Sequence, residues 1–299
     1  MNRLRILIRR NIKLYLRDKA AVFFSFLSTI IVVALYFLFI ANIYVQGMNN
    51  PEAGGITMAL SNNAKNFVIY WQMIAGVLVL NSISLATGVF SSIAKDFESR
   101  RIDGLMLTPA KTYEIILSYL IAGFLVSFFI NVLTLILSML VIGPSTGYWL
   151  AIESLLMAVV VLLIATFISC CLMFLVTAII KSSTAIGVMN GVLGTLFGFL
   201  CGIYMPYGSL GNGAKAVGSF LPFSHLTIWL KQAVLDNAFL QLGIGGEAKH
   251  LLYADYFSAQ SIGFCNLSAP LWLMIILSVS IGIVCLVASW LVLNKRIKR

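Results

Sequence analysis

Charged side chains are concentrated in one short segment of this sequence. Residues 94–111 read AKDFESRRIDGLMLTPAK, and six charged residues lie between Lys95 and Asp103. Long charge-free runs lie on both sides of it. Charges at this density form ion pairs, and with the apolar residues between them they make a surface suited to binding another protein. The alternative is a solvated connection whose charges only fix the topology of the chain.

We predict that residues 94–103 form a short helix. Acid N-terminal to base, three or four residues apart, is the favourable order for helical ion pairs. The segment offers two such pairs, Asp96–Arg100 and Glu98–Arg101. Gly104 can end the helix, and Pro109 prevents its simple continuation into the next apolar run. The side chains predicted to share one side of this helix are Phe97, Arg101, Leu105 and Met106, with Ile102 beside them.

Catalytic and nucleotide-binding patterns do not occur in the sequence. A P-loop requires G-x-x-x-x-G-K-[ST], and the nearest match, GSLGNGAK at residues 208–215, has Ala214 where the lysine must stand. No Ser/His/Asp constellation, zinc motif or C-x-x-C spacing appears. We therefore expect no metal, no cofactor and no enzyme activity in this chain by itself, so that any energy input comes from another chain.

The elements that position the charged segment are membrane spans. The chain is 61% hydrophobic and 10% charged, whereas a soluble domain carries about 25% charged residues. A span needs about 20 mostly apolar residues. These properties predict an all-α polytopic membrane protein with one transmembrane domain over residues 1–299. The six predicted spans are 20–43, 67–93, 114–142, 150–180, 184–203 and 271–293, the third ending near Ile142 because GPST at 143–146 breaks it.

The distribution of basic residues predicts the orientation of the spans. The chain carries a net charge of +10, and most of its Lys and Arg residues lie in the two termini and the 95–111 segment. Six spans place all three on the same side, which the positive-inside rule assigns to the cytoplasm. The basic residues adjoin spans and do not form a soluble domain, so we expect a plasma-membrane protein that binds no nucleic acid.

The N-terminal segment, residues 1–19, has the pattern of a basic amphipathic helix lying in the headgroup layer. One face carries Leu4, Ile8, Ile12 and Tyr15. The other carries Arg3, Arg10, Lys13 and Arg17. A mechanical element and a simple topology anchor explain this pattern equally well.

Residues 204–270 are predicted to be external and re-entrant, because Pro and Gly interrupt their apolar stretches before any reaches spanning length. One interpretation is an outer gate that includes Pro206, Pro222, His225 and Trp229. The other is an amphipathic hairpin that plugs the bundle. Its apolar helix face would carry Leu226, Trp229, Leu230, Ala233 and Val234, with Lys231 and Gln232 off that face.

No Asp, Glu, Lys or Arg lies deep in a predicted span, which argues against an ion-coupled transporter and a charged-ring channel. Uncharged polar residues remain in the spans, and Gln72, Asn81 and Asn190 are the candidates for a substrate path. Hydrogen bonding between neighbouring helices is the other explanation for them.

The fifth span carries glycines on one helix face: Gly187, Gly191, Gly194, Gly198 and Gly202. Small residues let helix backbones approach closely in lipid. This face therefore meets another helix, either in the same chain, which is slightly favoured, or across a subunit interface.

Glu98, Arg101, Gly104, Thr108 and Pro109 after the second span form a pattern that resembles the signature of ABC transporter type-2 permeases. The basic N-terminal helix, the six spans, the glycine-rich fifth span and the re-entrant region occur in the same order as in that family. Asp103 departs from the family, which often has a neutral or basic residue there.

The resemblance implies that residues 94–110 form a coupling helix and residues 1–19 a connecting helix, both against a cytoplasmic ATPase subunit. Two permeases, the second a copy or a homologue, would pair with two ATPase subunits that bind ATP and Mg. The path would be lined by the first, second and fifth spans. The residues implied to couple to the ATPase are Lys95, Asp96, Phe97, Glu98, Arg100, Arg101, Gly104, Thr108 and Pro109.

The function that these features predict is export of an amphiphilic or hydrophobic compound, such as a drug, an antibiotic or a natural product, from a bacterial cell. The first alternative cargo is a lipid-linked polysaccharide or teichoic-acid-like glycan. The alternatives outside the family are a membrane scaffold, a lipid-modifying protein and a stand-alone channel.

Overall fold

The computed structural model describes residues 2–19, 61–180, 182–201, 210–244 and 270–297, and a few single residues between these ranges. The described residues form helices and no strand. The helices are α1 (Asn2–Arg17), α2 (Asn62–Glu98), α3 (Arg101–Met106), α4 (Thr112–Thr146), α5 (Ile152–Ile179), α6 (Ser183–Leu200), α7 (Asn212–Phe220), α8 (Pro222–Gln241) and α9 (Leu271–Ile297).

Five of these helices, α2, α4, α5, α6 and α9, are long and apolar enough to cross a membrane. They coincide with five of the six predicted spans, so the all-helical, multi-pass architecture is confirmed. The span predicted at 20–43 lies outside the described residues apart from a few single positions. The count of six therefore stays a prediction.

The central element of the bundle is α2. It packs against α4, α5, α6 and α8, and its aromatic side chains Phe67, Trp71 and Phe90 are almost fully buried. An apolar helix that is covered on all sides occupies a core position, whereas a lipid-facing helix leaves one side open. The charged segment lies at the C-terminal end of α2, so this central helix connects that segment to the rest of the bundle.

The end of α4 differs from the prediction. The helix continues through Pro144 to Thr146, four residues beyond Ile142. Proline removes one backbone hydrogen bond, but membrane-spanning helices tolerate this loss because other groups can satisfy the freed backbone carbonyl. Gly147 ends the helix with a φ of 77°, and its N–H donates to the Gly143 carbonyl at 2.9 Å. Glycine reaches this left-handed conformation without a steric penalty.

The described part of the predicted re-entrant region is the helix pair α7 and α8. α8 packs against α2, α5 and α9. Near its start the Ser224 hydroxyl donates to Cys201 Sγ at 3.5 Å, and near its end the Asn237 amide donates to Ser154 Oγ at 2.9 Å. The α8 helix is thus embedded in the bundle. The choice between an outer gate and a plug stays a prediction.

The predicted apolar face of α8 is only partly right. Leu226, Leu230 and Val234 are buried as expected, but Trp229 is half-buried and Lys231 is only 1% exposed. Because several helices surround α8, burial is not confined to one stripe. Lys231, which was expected off the apolar face, is therefore enclosed.

Candidate functional site

The charged segment folds as a sharp corner between two helices. α2 continues to Glu98, and the Ser99 N–H donates to the Lys95 carbonyl at 2.9 Å. Arg100 then takes a left-handed conformation, with φ 53°, and α3 begins at the next residue. A bulky residue at positive φ is uncommon and stops a right-handed helix.

The helix predicted over 94–103 is therefore divided by this corner, and its boundaries were wrong. Gly104 lies inside α3, which ends at Met106. A side-chain Cβ at Gly104 would meet no atom within 4 Å. The chain leaves α3 through Thr108, whose hydroxyl donates to the Leu105 carbonyl at 2.5 Å.

Asp96 is the centre of a buried polar cluster beneath this corner. It is only 3% exposed. Its Oδ2 accepts hydrogen bonds from the Tyr119 hydroxyl at 2.7 Å and from Arg10 Nη2 at 3.1 Å. Its Oδ1 lies 3.7 Å from Arg101 Nη1. We call these four residues the Asp96 junction, because they join α1, α2, α3 and α4.

Arg10 is the cation that makes burial of Asp96 tolerable. Its Nη1 donates to the Tyr119 hydroxyl at 3.2 Å and to Asn11 Oδ1 at 2.9 Å. Burial alone lowers the pKa of the Arg10 guanidinium, but the Tyr119 and Asp96 partners outweigh it, so the net pKa is raised above the ordinary value. Arg10 therefore stays charged, and a paired buried carboxylate costs far less than an isolated one.

Further contacts fasten α1 to the bundle. Arg3 donates to the Pro109 carbonyl at 2.8 Å, and the buried Asn11 amide donates to Ser118 Oγ at 3.0 Å. The side of α1 that packs on the protein carries Leu7, Asn11 and Tyr15. Two of the predicted basic residues, Arg3 and Arg10, thus bind the chain itself. The other two, Lys13 and Arg17, are exposed.

Both predicted ion pairs of the charged segment were wrong. Asp96 binds Arg10, Tyr119 and Arg101 and does not bind Arg100. Glu98 does not pair with Arg101. Its two carboxylate oxygens accept hydrogen bonds from the start of α6.

The residues around the corner divide into an anchored and an exposed set. Ile102 is buried, and Phe97 and Leu105 are half-buried against the core. Leu107 is 90% exposed. We call the exposed set the exposed corner, and it consists of Lys95, Glu98, Ser99, Arg100, Arg101, Asp103, Gly104, Met106, Leu107, Thr108 and Pro109. Asp96, which was predicted among the coupling residues, lies inside the protein and not on this surface.

The candidate path residues lie within helix packing. Asn81 donates to Asn131 Oδ1 at 3.4 Å, and the Asn131 amide donates to the Leu78 carbonyl at 3.2 Å. This pair joins α2 to α4. Gln72 is buried on α2, and Asn190 is half-buried on α6. Asn81 thus has the helix-bonding role that was the alternative.

The glycine face of α6 is largely open. A Cβ built at Gly187, Gly191 or Gly194 would meet no atom within 4 Å. Gly198 is buried, and Gly202 lies outside the described residues. Among the described residues, the intrachain contact that was slightly favoured is therefore not seen at the first three glycines, and the choice between the two kinds of interface stays a prediction.

The predicted outer-gate residues lie at the start of α8. Pro222 is the first residue of that helix and is buried. His225 is 1% exposed, with Nε2 2.9 Å from the Ser219 carbonyl oxygen. Trp229 is half-buried, and Pro206 lies outside the described residues. The three described residues therefore belong to the packed bundle.

Metal-binding clusters are not found in the described ranges, where no three His, Cys, Asp or Glu side chains come together. No direct signal for Tyr119 or Asn11 is present in the sequence, because polar residues near helix ends are common. Ser183 could have been identified from the sequence, because it belongs to the Ser-Ser-Thr run at the start of a predicted span, which is a typical N-cap pattern.

The fold defines a multi-pass membrane protein. Its Asp96 junction lies at a helix corner, outside the apolar stretch of the spans. The sequence profile of one family, described as ABC-2 family transporter protein, matches residues 49–291. The chain belongs to this family and is an ABC-2 type permease. No curated protein shows significant similarity to it.

Membership of the family makes the chain the membrane component of an ABC transport system. Permeases of this family have no ATPase site of their own and work with an ATPase partner. The scaffold, lipid-modifying and stand-alone channel alternatives are thereby set aside.

Proposed function

We propose that this chain is the permease subunit of an exporter and that the exposed corner is the seat of the ATPase partner. The observation that carries this proposal is the arrangement at the corner: an exposed, mixed apolar and charged surface lies directly above a buried ionic junction. A surface loop that served only as a connection needs no such anchorage. Anchorage to four helices suits a surface through which force enters the bundle.

The proposed assembly contains two permeases and two ATPase subunits, and the ATPases bind the ATP and Mg. The termini and the exposed corner face the cytoplasm, and α1 lies against the same partner as the connecting helix. Support for a second permease copy comes from α6, whose open glycine face lies beside the exposed side chains of Val188 and Val192. Close approach of a second helix to such a face gains packing energy in lipid.

The proposed cargo is an amphiphilic or hydrophobic compound moved out of the cell. The described spans carry uncharged polar residues such as Asn81 and Asn131 and no charged ring. The glycan alternative would be favoured by aromatic residues along a channel. Trp71 and Tyr15 are instead buried within helix packing, and Tyr70 is half-buried against the core, so these three aromatic residues do not favour that alternative.

The test is purification of the tagged chain from its native membranes, followed by measurement of ATP hydrolysis. An ABC ATPase should co-purify, and the complex should hydrolyse ATP faster than the isolated ATPase. If no nucleotide hydrolase associates under conditions that keep the permease folded, the proposal is wrong. Export of labelled amphiphiles from cells with and without the gene then distinguishes this cargo class from a glycan.

A further inference from the structure

Glu98 contacts the first residue of α6 through both carboxylate oxygens. The Ser183 backbone N–H donates to Glu98 Oε1 at 2.8 Å, and the Ser183 hydroxyl donates to Glu98 Oε2 at 2.7 Å. The two residues are 85 positions apart in the sequence. This pair of bonds is the link between the corner and the glycine-rich helix.

The chemistry of a helix start explains why the link is favourable. The first N–H groups of a helix have no acceptor within the helix, and the N-terminus carries a partial positive charge. Ser182 satisfies one of them locally, since its hydroxyl accepts from the Ala185 N–H at 3.4 Å. Glu98 satisfies another from outside and adds a full negative charge.

The position of Glu98 gives the link a mechanical consequence. Glu98 is the last residue of α2 and comes two residues before the left-handed Arg100. Two residues earlier, Asp96 binds α1 and α4. A displacement of the exposed corner therefore reaches α1 and α4 through Asp96 and reaches α6 through Glu98.

The packing of α6 bears on how much the Glu98–Ser183 bonds contribute to its position. Among the described helices it packs mainly on α2 and α7, and a Cβ at Gly187, next to its start, would meet no described atom within 4 Å. The bonds at the start of α6 therefore help to fix the position of its glycine face.

We propose that Glu98, although it is exposed at the corner, is a positioning residue that acts through Ser183 and not by touching the ATPase. It holds the start of α6, so that movement of the exposed corner shifts the glycine face. The inference rests on the proposed exporter function. It names the route by which the ATPase cycle reaches one particular helix.

The substitution Ser183→Pro tests the link with little strain. Ser183 is the first residue of α6 and follows Ser182, whose ψ is 124°. Proline is favoured at a first helical position, and the residue before it prefers this extended conformation. The change removes both Ser183 donors to Glu98 and leaves only the weaker interaction of that carboxylate with the Ser182 hydroxyl. Thr184→Ala is the matched control, because it removes the neighbouring, exposed hydroxyl and leaves both bonds intact.

The expected result is that the ATPase still co-purifies with Ser183→Pro while transport per ATP falls roughly two- to thirtyfold. Ser183→Ala, which keeps the N–H bond, should lose less, and Thr184→Ala should behave as wild type. The double variant Glu98→Ala with Ser183→Pro should be no worse than Glu98→Ala alone, because both changes break the same link.

A second measurement follows α6 directly. With the five native cysteines replaced, Gly187→Cys should show nucleotide-dependent thiol labelling in the complex, and Ser183→Pro should abolish that dependence. Wild-type coupling in both Ser183 variants, or multiplied losses in the double variant, would show that Glu98 acts elsewhere. If Ser183→Pro fails to fold, Ser183→Ala and its double variant with Glu98→Ala decide. Failure of the wild-type chain to stimulate any ATPase would instead overturn the exporter proposal.

Discussion

The Tyr119 hydroxyl donates a hydrogen bond of 2.7 Å to Asp96 across the interface between α4 and α2. The bond joins two candidate spans near the exposed corner, where Arg10 from α1 meets both residues. A buried carboxylate with one neutral and two cationic partners fixes the relative positions of four helices. The predictions below test this arrangement and the surfaces around it.

Tyr119→Phe should lower the free energy of unfolding by about 1–2 kcal/mol, because it removes one hydrogen bond from a buried charge and preserves the ring. Thermal unfolding of the detergent-solubilised protein measures the change. Tyr113→Phe is the control, since Tyr113 is on the same helix but exposed. Equal melting temperatures for the two variants would contradict a stabilising role for the Tyr119 hydroxyl.

Arg10→Ala should lower the free energy of unfolding by about 2 kcal/mol, because Asp96 then keeps only Tyr119 and the more distant Arg101. Thermal unfolding in detergent measures this change. Arg10→Lys should restore part of the loss, since an ammonium cannot reproduce the planar donor fork. Arg9→Ala, an exposed neighbour in the same helix, should change stability little. If Asp96→Asn does not reduce the cost of Arg10→Ala, the ion pair is not the source of the effect.

Leu107→Asp should leave folding unchanged, since Leu107 is 90% exposed, and should weaken capture of the ATPase at least tenfold. Burying a new carboxylate at an apolar contact costs more than about 1.4 kcal/mol, which corresponds to that factor. Quantitative co-purification measures the loss. Leu240→Asp, at an exposed position on α8, is the control, and an equal loss there would remove the exposed corner from the interface.

Gly191→Leu should leave the fold of the single chain intact and reduce pairing of permease copies, because the position is open within the chain. Gly123→Leu should instead disrupt the fold, since even a Cβ there would lie 2.6 Å from the Phe90 ring. Size-exclusion chromatography and crosslinking in membranes measure pairing. Undiminished pairing of Gly191→Leu would assign the glycine face to lipid or to another protein.

The spans could be predicted from the sequence because hydropathy is a property of the segment alone. The ends of these helices agree with the predicted span ends to within five residues; the largest differences are at the two ends of α2, and α4 passes Ile142 because Pro144 is tolerated. The partners of Asp96 could not be predicted, because Arg10 is 86 residues away and Tyr119 is 23 residues away. Local spacing instead favoured Arg100, whose left-handed backbone breaks the helix that the spacing assumed.

The enclosure of Lys231 shows a second reason why such predictions fail. A helical face is inferred from its own residues, whereas burial on α8 depends on the three helices around it. The exposure of a face on α6 likewise depends on its neighbours, but there a face that was predicted to be covered is open among the described residues. The glycine spacing of α6 indicated close packing, but no atom that the structure describes lies within 4 Å of a Cβ built at Gly187, Gly191 or Gly194.

The length of α2 has a consequence for experiments in whole membranes. Its 37 residues extend about 55 Å, whereas the hydrocarbon layer is about 30 Å thick. Even with an ordinary tilt, several turns of this helix extend beyond the lipid. Other helices cover most of its length, so soluble crosslinkers and labelling reagents reach it at the exposed residues of its two ends, Asn62, Asn63, Lys95 and Glu98, without dissolving the bilayer.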